Sequence, residues 1–179
     1  TSFKTDESVI SFVGTADISM PLTLNGQAVE MIDDGYFSVE KKLKVGENVF
    51  AFSHKSQVIT YKITYAPKLL KSVEPKESIN APGGTQLTIV AVAYKSASVK
   101  AVINGSSVAL SRSDDYNDES EADVSSDYTY FVGSYTLPAS SNEAKNLGKI
   151  KVTASYSGQS ESLSGASVTV NAQEVEAPP

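Results

Sequence analysis

The sequence predicts an all-β protein that consists of two tandem antiparallel β-sandwiches, and three observations lead to this prediction. Apolar and polar residues alternate with a period of two, which is the pattern of a half-buried strand. Turn signals such as Asn25-Gly26, Asn104-Gly105 and Ser157-Gly158 separate the alternating segments. The same order of strands and turns also occurs twice along the chain. Many short strands joined by tight turns are typical of a sandwich or barrel.

The alternation is clearest in two segments. The apolar or aromatic residues at every second position are Ile59, Tyr61, Ile63 and Tyr65 in one segment, and Ile150, Val152, Ala154 and Tyr156 in the other. The residues between them are Thr, Lys or Ser. Because successive side chains of a strand point to opposite faces, each segment presents one apolar face to a core.

An internal repeat predicts the domain organisation. Asn-Gly between two apolar segments is the strongest short-range hairpin signal, because a type I′ turn needs positive φ at both central residues. The positions that match between the copies, at offsets of 79, 94, 102 and 107, are Asn25 with Asn104, Phe37 with Phe131, Gly46 with Gly148 and Ile63 with Val170. Every change of offset falls between strands, where loops accept insertions. We therefore predict two related domains.

The predicted domains span residues 1–66 and 67–172. Residues 173–179 are predicted to form a linker, because this tail is charged and ends in two prolines. The second domain has an additional candidate strand at residues 69–73. Its counterpart in the first domain would lie upstream of Thr1, unless the first domain lacks this strand. We expect the chain to be a piece of a longer protein.

The composition excludes several classes of function. The 179 residues include no Cys and a single His, which removes disulfides, zinc–thiolate sites, iron–sulfur clusters and cysteine nucleophiles. The net charge is −6 and there is no basic patch for phosphate contacts, so we expect no nucleic-acid partner. No apolar run approaches the roughly 18 residues of a membrane helix, so we expect no membrane insertion.

One acidic cluster is the candidate for a metal site. Residues 114–127 include no Lys or Arg, and the candidate ligands among them are Asp114, Asp115, Asp118, Glu119, Glu121 and Asp123. Several carboxylates on one loop suit Ca²⁺, which takes oxygen ligands. The EF-hand pattern fails, however, because Ser120 and Ser126 stand where it needs Gly and Glu. We favour the interpretation that this cluster is a solvated acidic insertion. Ca²⁺ is kept as the alternative, and no other cofactor is expected.

The sequence predicts no catalytic residue. His54, the single imidazole, matches Tyr156 in the repeat, and both side chains have an apolar body with a polar tip. Such a pair fits a structural position at a strand end, where the polar tip reaches water. The G-x-S-x-G motif of many hydrolases does not occur. We therefore expect that the isolated chain is not an enzyme.

Tyrosine rings are the residues with which this chain would bind a glycan, because aromatic faces stack on sugar rings. Nine tyrosines occur, but Tyr36, Tyr61, Tyr130 and Tyr156 lie in alternating strands, which favours packing within the sheets. Tyr116 lies inside the acidic cluster and has no evident strand role. Glycan binding is therefore kept as an alternative function.

Four short segments of the first domain form a family pattern. They are Phe12-Val13-Gly14-Thr15-Ala16, Pro21-Leu22-Thr23-Leu24-Asn25-Gly26, Asp34-Gly35-Tyr36-Phe37 and Gly46-Glu47-Asn48. This pattern resembles the small Ig-like or cadherin-like modules of secreted Firmicutes cell-surface proteins. Such modules are found N-terminal to N-acetylmuramoyl-L-alanine amidases and in glucodextranase-type enzymes. The resemblance implies an Ig-like fold, an extracellular place at the cell surface or cell wall, and no catalytic residue.

Together these observations lead to one expected function and one alternative. We expect a non-catalytic extracellular module that spaces or targets an attached domain, such as a cell-wall hydrolase, at the bacterial surface. The alternative is an adhesin-type module that binds a glycan or a protein through loops at the ends of its sandwiches. The expected partners are a cell-wall polymer, a glycan or a host surface protein, and the chain itself is expected to be a monomer.

Overall fold

The computed structural model describes residues 1–116 and 127–179, which divide into two compact units, Thr1–Pro67 and Lys68–Pro179. The regular structure of these described residues consists of fifteen β-strands and one 3₁₀ turn, Asp33–Gly35. None of the described residues forms a helix with the length and apolar character needed to cross a bilayer.

The first unit contains seven strands in two sheets. They are β1 (Ser2–Thr5), β2 (Val9–Thr15), β3 (Leu22–Leu24), β4 (Gln27–Ala28), β5 (Tyr36–Lys42), β6 (Gly46–His54) and β7 (Gln57–Tyr65). Five of them form a sheet in the order β1-β7-β6-β3-β4, while β2 and β5 form a separate antiparallel pair. Phe12 and Phe37 of this pair pack against Phe52 of the larger sheet, so the two sheets enclose one core.

The described residues of the second unit contain eight strands around a larger core. They are β8 (Leu70–Glu74), β9 (Ile79–Ala81), β10 (Gln86–Tyr94), β11 (Ser98–Ile103), β12 (Ser106–Arg112), β13 (Tyr128–Thr136), β14 (Lys145–Tyr156) and β15 (Gln159–Val170). Their order is β8-β10-β13-β12-β11-β14-β15-β9. The first part of β12 pairs with β11, and its last residues, Ser111 and Arg112, pair with β13. β12 therefore joins the two layers of a sandwich.

Both units have the strand order of an Ig-like sandwich. In the second unit β8-β10-β13-β12 corresponds to the ABED sheet of an immunoglobulin domain, and β11-β14-β15 corresponds to the CFG sheet. In the first unit β2 and β5 correspond to B and E, and β3, β6 and β7 correspond to C, F and G. The predicted all-β fold of tandem Ig-like sandwiches is thus confirmed. One pairing in each unit is parallel, β1 with β7 and β9 with β15.

Four hairpins of the sandwiches turn in two residues that both have positive φ, as a type I′ turn requires. The φ values are 49° and 81° at Asn25-Gly26, 50° and 77° at Asn104-Gly105, and 48° and 77° at Ser157-Gly158. These three turns confirm the turn signals of the sequence. Lys55-Ser56, with φ of 50° and 62°, forms the fourth of these turns and joins β6 to β7. It contains no glycine, and its sequence does not predict a turn.

The predicted offset of the last strand is wrong. Gly46 lies opposite Tyr65, and its repeat partner Gly148 lies opposite Val168. Val168 follows Tyr65 by 103 positions, whereas the sequence pattern gave 107. At this end of the strand the two offsets differ by four, and a strand shifted by an even number of residues keeps every side chain on the same face. The register of β14 and β15 also shifts between Lys149 and Lys151, so that nearer the hairpin Glu161 is the counterpart of Ile59 at an offset of 102.

Candidate functional site

The first unit contains a cleft with a volume of about 400 Å³ between residues of β2 and β7. This volume falls within the usual range for ligand pockets, roughly 300–1,000 Å³. The side chains that define the cleft are the aromatic residues Phe12, Phe37, Phe52 and Tyr61, the exposed apolar residues Val13 and Ile59, and the polar residues Asp17, His54 and Lys55.

The aromatic residues of the cleft pack edge to face. The ring of Phe12 lies 5.0 Å from that of Phe52 at an interplanar angle of 70°. The ring of Tyr61 lies 6.1 Å from that of Phe52 at 90°. These distances and angles are those that the ring quadrupoles favour. Phe52 is buried, but Phe12, Phe37 and Tyr61 are only half-buried, because the cleft leaves part of each ring without a neighbour.

One side of the cleft is β2, whose outer edge has no neighbour among the described residues. The amide of Ala16 donates to the backbone oxygen of Gly35 at 2.9 Å, next to β5. Because the N–H groups of a strand alternate in direction, those of Val13 and Thr15 point away from β5. Within residues 1–116 and 127–179, no strand pairs with this outer edge of β2.

The polar end of the cleft is held by Asp17, in the loop after β2. His54, at the end of β6, donates from Nε2 to the backbone oxygen of Asp17 at 3.0 Å. Lys55 forms an ion pair with the Asp17 carboxylate, which also accepts the hydroxyl of Ser19 at 2.7 Å. The Lys55 ammonium, and then Ser19, hold the pKa of Asp17 well below its ordinary value. These contacts tie the β2–β3 loop to the β6–β7 turn.

This arrangement is suited to binding rather than to proton transfer. A carbonyl oxygen only accepts, so Nε2 of His54 carries the proton and donates it to Asp17. The carboxylate that would orient or assist an imidazole is bound to Lys55 and Ser19 instead. His54 therefore has the structural position at a strand end that the sequence predicts.

The acidic cluster is only partly within the described residues. The Nε–H of Arg112 is shared between Oδ1 and Oδ2 of Asp114, at 2.9 and 3.0 Å, and Asp114 also accepts a hydrogen bond from the hydroxyl of Thr129 at 2.9 Å. The guanidinium lowers the pKa of Asp114, and the carboxylate raises the pKa of Arg112. The candidates Asp118, Glu119, Glu121 and Asp123 lie outside the described residues. The described part of the chain contains no group of three His, Cys, Asp or Glu side chains that could hold a metal ion.

Five tyrosines outside the cleft contact other rings, namely Tyr94, Tyr116, Tyr128, Tyr130 and Tyr156. Tyr36 is 43% exposed and does not have the packing role that the sequence predicts. Tyr130 is 5% exposed, which confirms its packing role. Tyr116, which has no evident strand role in the sequence, packs against Tyr130 with ring centroids 4.9 Å apart. Tyr156 packs against Tyr94 at 5.2 Å. The ring of Tyr116 is half-buried in this contact, so it is not presented as an open platform for a sugar.

Comparison with known proteins identifies the class of protein no more closely than the strand order does. No family model and no curated protein matches the chain. A structure of titin domains Z1Z2 in complex with telethonin is 12% identical, covering 97% of this chain and 93% of that chain with a TM-score of 0.39. The tandem Ig repeats of Dlar are 13% identical, covering 96% and 93% with a TM-score of 0.32. At these values the class, a tandem Ig-like protein, follows from the topology itself.

Of the cleft residues, only His54 and Tyr61 are considered in the sequence as possible catalytic or ligand-binding residues, and both are predicted to be structural. Asp17 and Lys55 give no signal because their roles depend on a loop and a turn that meet only in the fold. One feature of the sequence does point to the cleft. Among residues 1–67 no strand matches residues 69–73 of the second copy, and no described strand pairs with the outer edge of β2.

Proposed function

We propose that this chain is a non-catalytic extracellular module that binds a partner at the bacterial surface through the cleft of its first sandwich. By this contact it would space or target an attached domain, such as a cell-wall hydrolase. The observation that carries the proposal is the cleft itself, an aromatic-lined site of about 400 Å³ on a β-sandwich. The extracellular, cell-surface or cell-wall location rests on the resemblance of the first domain to modules of secreted Firmicutes proteins.

Exposed apolar side chains at the cleft support a binding role. Val13 is 62% exposed and Ile59 is 56% exposed, although both line the cleft. Grouped apolar residues on a protein surface mark interaction sites more often than residues that occur singly. A partner that covered this group would remove it from water and gain the free energy of apolar burial.

The polar end of the cleft supports a non-catalytic role. Its imidazole donates to a backbone oxygen, and its carboxylate is bound by a lysine and a serine. General acid–base catalysis needs a group that is free to exchange a proton with a substrate. These contacts instead fix the shape of the cleft, which lowers the cost of ordering it when a partner binds.

The test is binding of the full chain to isolated cell walls of a Firmicutes bacterium, with wall proteins retained. We expect the chain to sediment with the walls. Ile59→Glu places a charge at the cleft and is expected to weaken binding about tenfold, because burying a charge without a partner is unfavourable. Val49→Glu is the matched control, since Val49 is an exposed strand residue outside the cleft. Failure of the chain to bind, or equal loss in both variants, would contradict the proposal.

A further inference from the structure

The two units contain the same turn sequence at equivalent hairpins. Asn25-Gly26 joins β3 to β4, and Asn104-Gly105 joins β11 to β12. Both pairs are exposed and have positive φ at both residues, so the two turns are alike in sequence, conformation and access to water. Asn-Gly is also the dipeptide in which the backbone attacks an asparagine side chain most readily, because glycine has no Cβ to obstruct the approach.

The side chain of Asn25 is bound to the backbone of β6. Its Nδ2 donates to the backbone oxygen of Val49 at 3.1 Å, and its Oδ1 accepts from the amide of Ala51 at 2.8 Å. The backbone amide of Asn25 also donates to the oxygen of Ala51 at 2.9 Å. Attack on Cγ requires rotation of the side chain and of the Asn25-Gly26 peptide, and this rotation would break these hydrogen bonds. β6 therefore opposes the reaction at Asn25.

The side chain of Asn104 is not held in this way. Within the residues that the structure describes, nothing forms a hydrogen bond with it. The strands before the two turns explain the difference. β3 pairs with β6 as far as Leu24, directly before the turn, whereas β11 pairs with β14 only as far as Val102, two residues before Asn104. The second turn thus lies beyond the pairing of β11 with β14, and its side-chain amide is free to rotate.

We propose that Asn104 is a site of spontaneous deamidation and that Asn25, in the same dipeptide, is protected. The backbone nitrogen of Gly105 attacks Cγ of Asn104 and forms a C–N bond, while the bond from Cγ to Nδ2 breaks. The proton of the Gly105 amide leaves with Nδ2 as ammonia, and a cyclic succinimide remains. Water then opens the ring. Cleavage of the ring bond to Cγ gives aspartate, and cleavage of the bond to the backbone carbonyl carbon gives isoaspartate.

The two products alter the β11–β12 hairpin differently. Aspartate adds one negative charge but keeps the main chain, and it tolerates the left-handed conformation as asparagine does. Isoaspartate inserts a methylene group into the main chain, so the two-residue turn cannot keep its geometry. Ile103, which pairs with Ser106 across this turn, is buried in the core of the second unit. Isoaspartate is therefore expected to displace a core residue, whereas aspartate is not.

The direct test follows the full folded chain as it ages in mildly alkaline buffer, in which the attacking backbone nitrogen loses its proton more readily. Trypsin releases residues 5–41 and 101–112 as separate peptides, and each contains a single asparagine. Mass spectrometry measures the conversion of amide into acid in each peptide, against a sample digested without ageing. Peptide 101–112 is expected to convert about tenfold faster, because reaction at Asn25 must first break two side-chain hydrogen bonds. Equal rates, or no conversion in peptide 101–112, would overturn the inference.

The same chain in denaturant is the matched control. Unfolding removes the contacts with β6 but leaves both Asn-Gly pairs intact, so the two peptides are expected to convert at similar rates. A difference in denaturant as large as that in the folded chain would arise from the neighbouring sequence and not from β6. That result would also overturn the inference.

Glycine variants assign the difference to the named contacts. Asn104→Gly removes the reactive amide and is expected to abolish most acid formation in the intact chain, and Gly-Gly fits the same turn. Asn25→Gly is the matched control and is expected to leave that rate unchanged. Hydrogen exchange of the Ala51 amide, followed by NMR, is expected to be slow in the unaltered chain and faster in Asn25→Gly. Rapid exchange in the unaltered chain would contradict the protection of Asn25.

The effect of the products is tested with Asn104→Asp, which reproduces the aspartate product. This variant is expected to melt at the temperature of the unaltered chain, whereas chains enriched in isoaspartate at position 104 are expected to melt lower. Equal melting temperatures for the two products would overturn the expected effect on the hairpin.

Discussion

His54 and Asp17 join the end of β6 to the loop after β2 by a hydrogen bond of 3.0 Å from Nε2 to a backbone oxygen. The second unit makes the equivalent tie with different chemistry. There Tyr156, the counterpart of His54, packs against Tyr94, the counterpart of Asp17, with ring centroids 5.2 Å apart. The position is therefore a structural joint in both sandwiches, and in the first unit it also closes one end of the cleft.

Replacing His54 tests the importance of this joint. His54→Ala removes one hydrogen bond to the backbone and is expected to lower the free energy of unfolding of the first unit by about 1 kcal/mol. Denaturant unfolding followed by NMR signals of the first unit measures the change. Lys151→Ala, at an exposed position of β14, is the control and is expected to leave the first unit unchanged. An unchanged stability of His54→Ala would show that the joint contributes nothing.

The lowered pKa of Asp17 predicts that acid weakens the first unit. The stabilisation by the ionised carboxylate is complete above its ordinary pKa of 3.8 and is lost as the pH falls below that value toward the lower pKa of the folded state. Asp17→Asn is therefore expected to flatten the pH dependence of stability between about pH 5 and pH 2. Because Asp17 and Lys55 are exposed, high salt should reduce the difference. Parallel pH profiles for the two proteins would contradict the expectation.

Alanine substitutions at two glycines with positive φ distinguish the energetic cost of backbone strain from that of steric overlap. A Cβ on Gly35 would lie 1.7 Å from the backbone oxygen of Ala16, whereas a Cβ on Gly26 would meet nothing within 4 Å. Gly26→Ala is expected to cost about 1 to 2 kcal/mol from the left-handed conformation alone. Gly35→Ala must also displace backbone and is expected to cost about 3 kcal/mol more. Equal losses in denaturant unfolding would contradict this assignment.

The turn without glycine offers a stabilising substitution. Ser56 has a φ of 62°, a conformation that costs a serine energy but a glycine none. Ser56→Gly is expected to raise the free energy of unfolding of the first unit by about 0.5 kcal/mol, after allowance for the greater freedom of glycine in the unfolded chain. Ser53→Gly, within β6, is the contrasting control and is expected to destabilise the unit. Thermal unfolding of both variants measures the sign.

The acidic cluster is tested by calcium titration. We expect the melting temperature of the second unit to be the same with and without millimolar Ca²⁺, because a solvated insertion gains nothing from the ion. Within the described residues, the carboxylate of Asp114 is already bound by Arg112 and Thr129. A rise in melting temperature that depends on Asp118 or Asp123 would instead establish the calcium site.

The strand pattern and the turns could be predicted from the sequence because each depends on local chemistry. Asn104-Gly105 adopts a turn that few other residue pairs tolerate, and alternation identifies the inward face of a strand. The register of the last strand could not be predicted, since alternation is unchanged by a shift of four residues. The sequence pattern also does not show that the pairing of β14 with β15 shifts between Lys149 and Lys151. The cleft could not be predicted either, because its lining residues on β2, β6 and β7 come together only in the folded sandwich.

The most direct test of the central claim, that the cleft of the first sandwich is the binding site, is hydrogen exchange by mass spectrometry on the full chain with and without bound cell walls. The account predicts protection at residues 12–17 of β2 and its following loop and at residues 57–61 of β7, both of which contribute to the cleft. Protection confined to the second unit, with residues 12–17 unchanged, would contradict it.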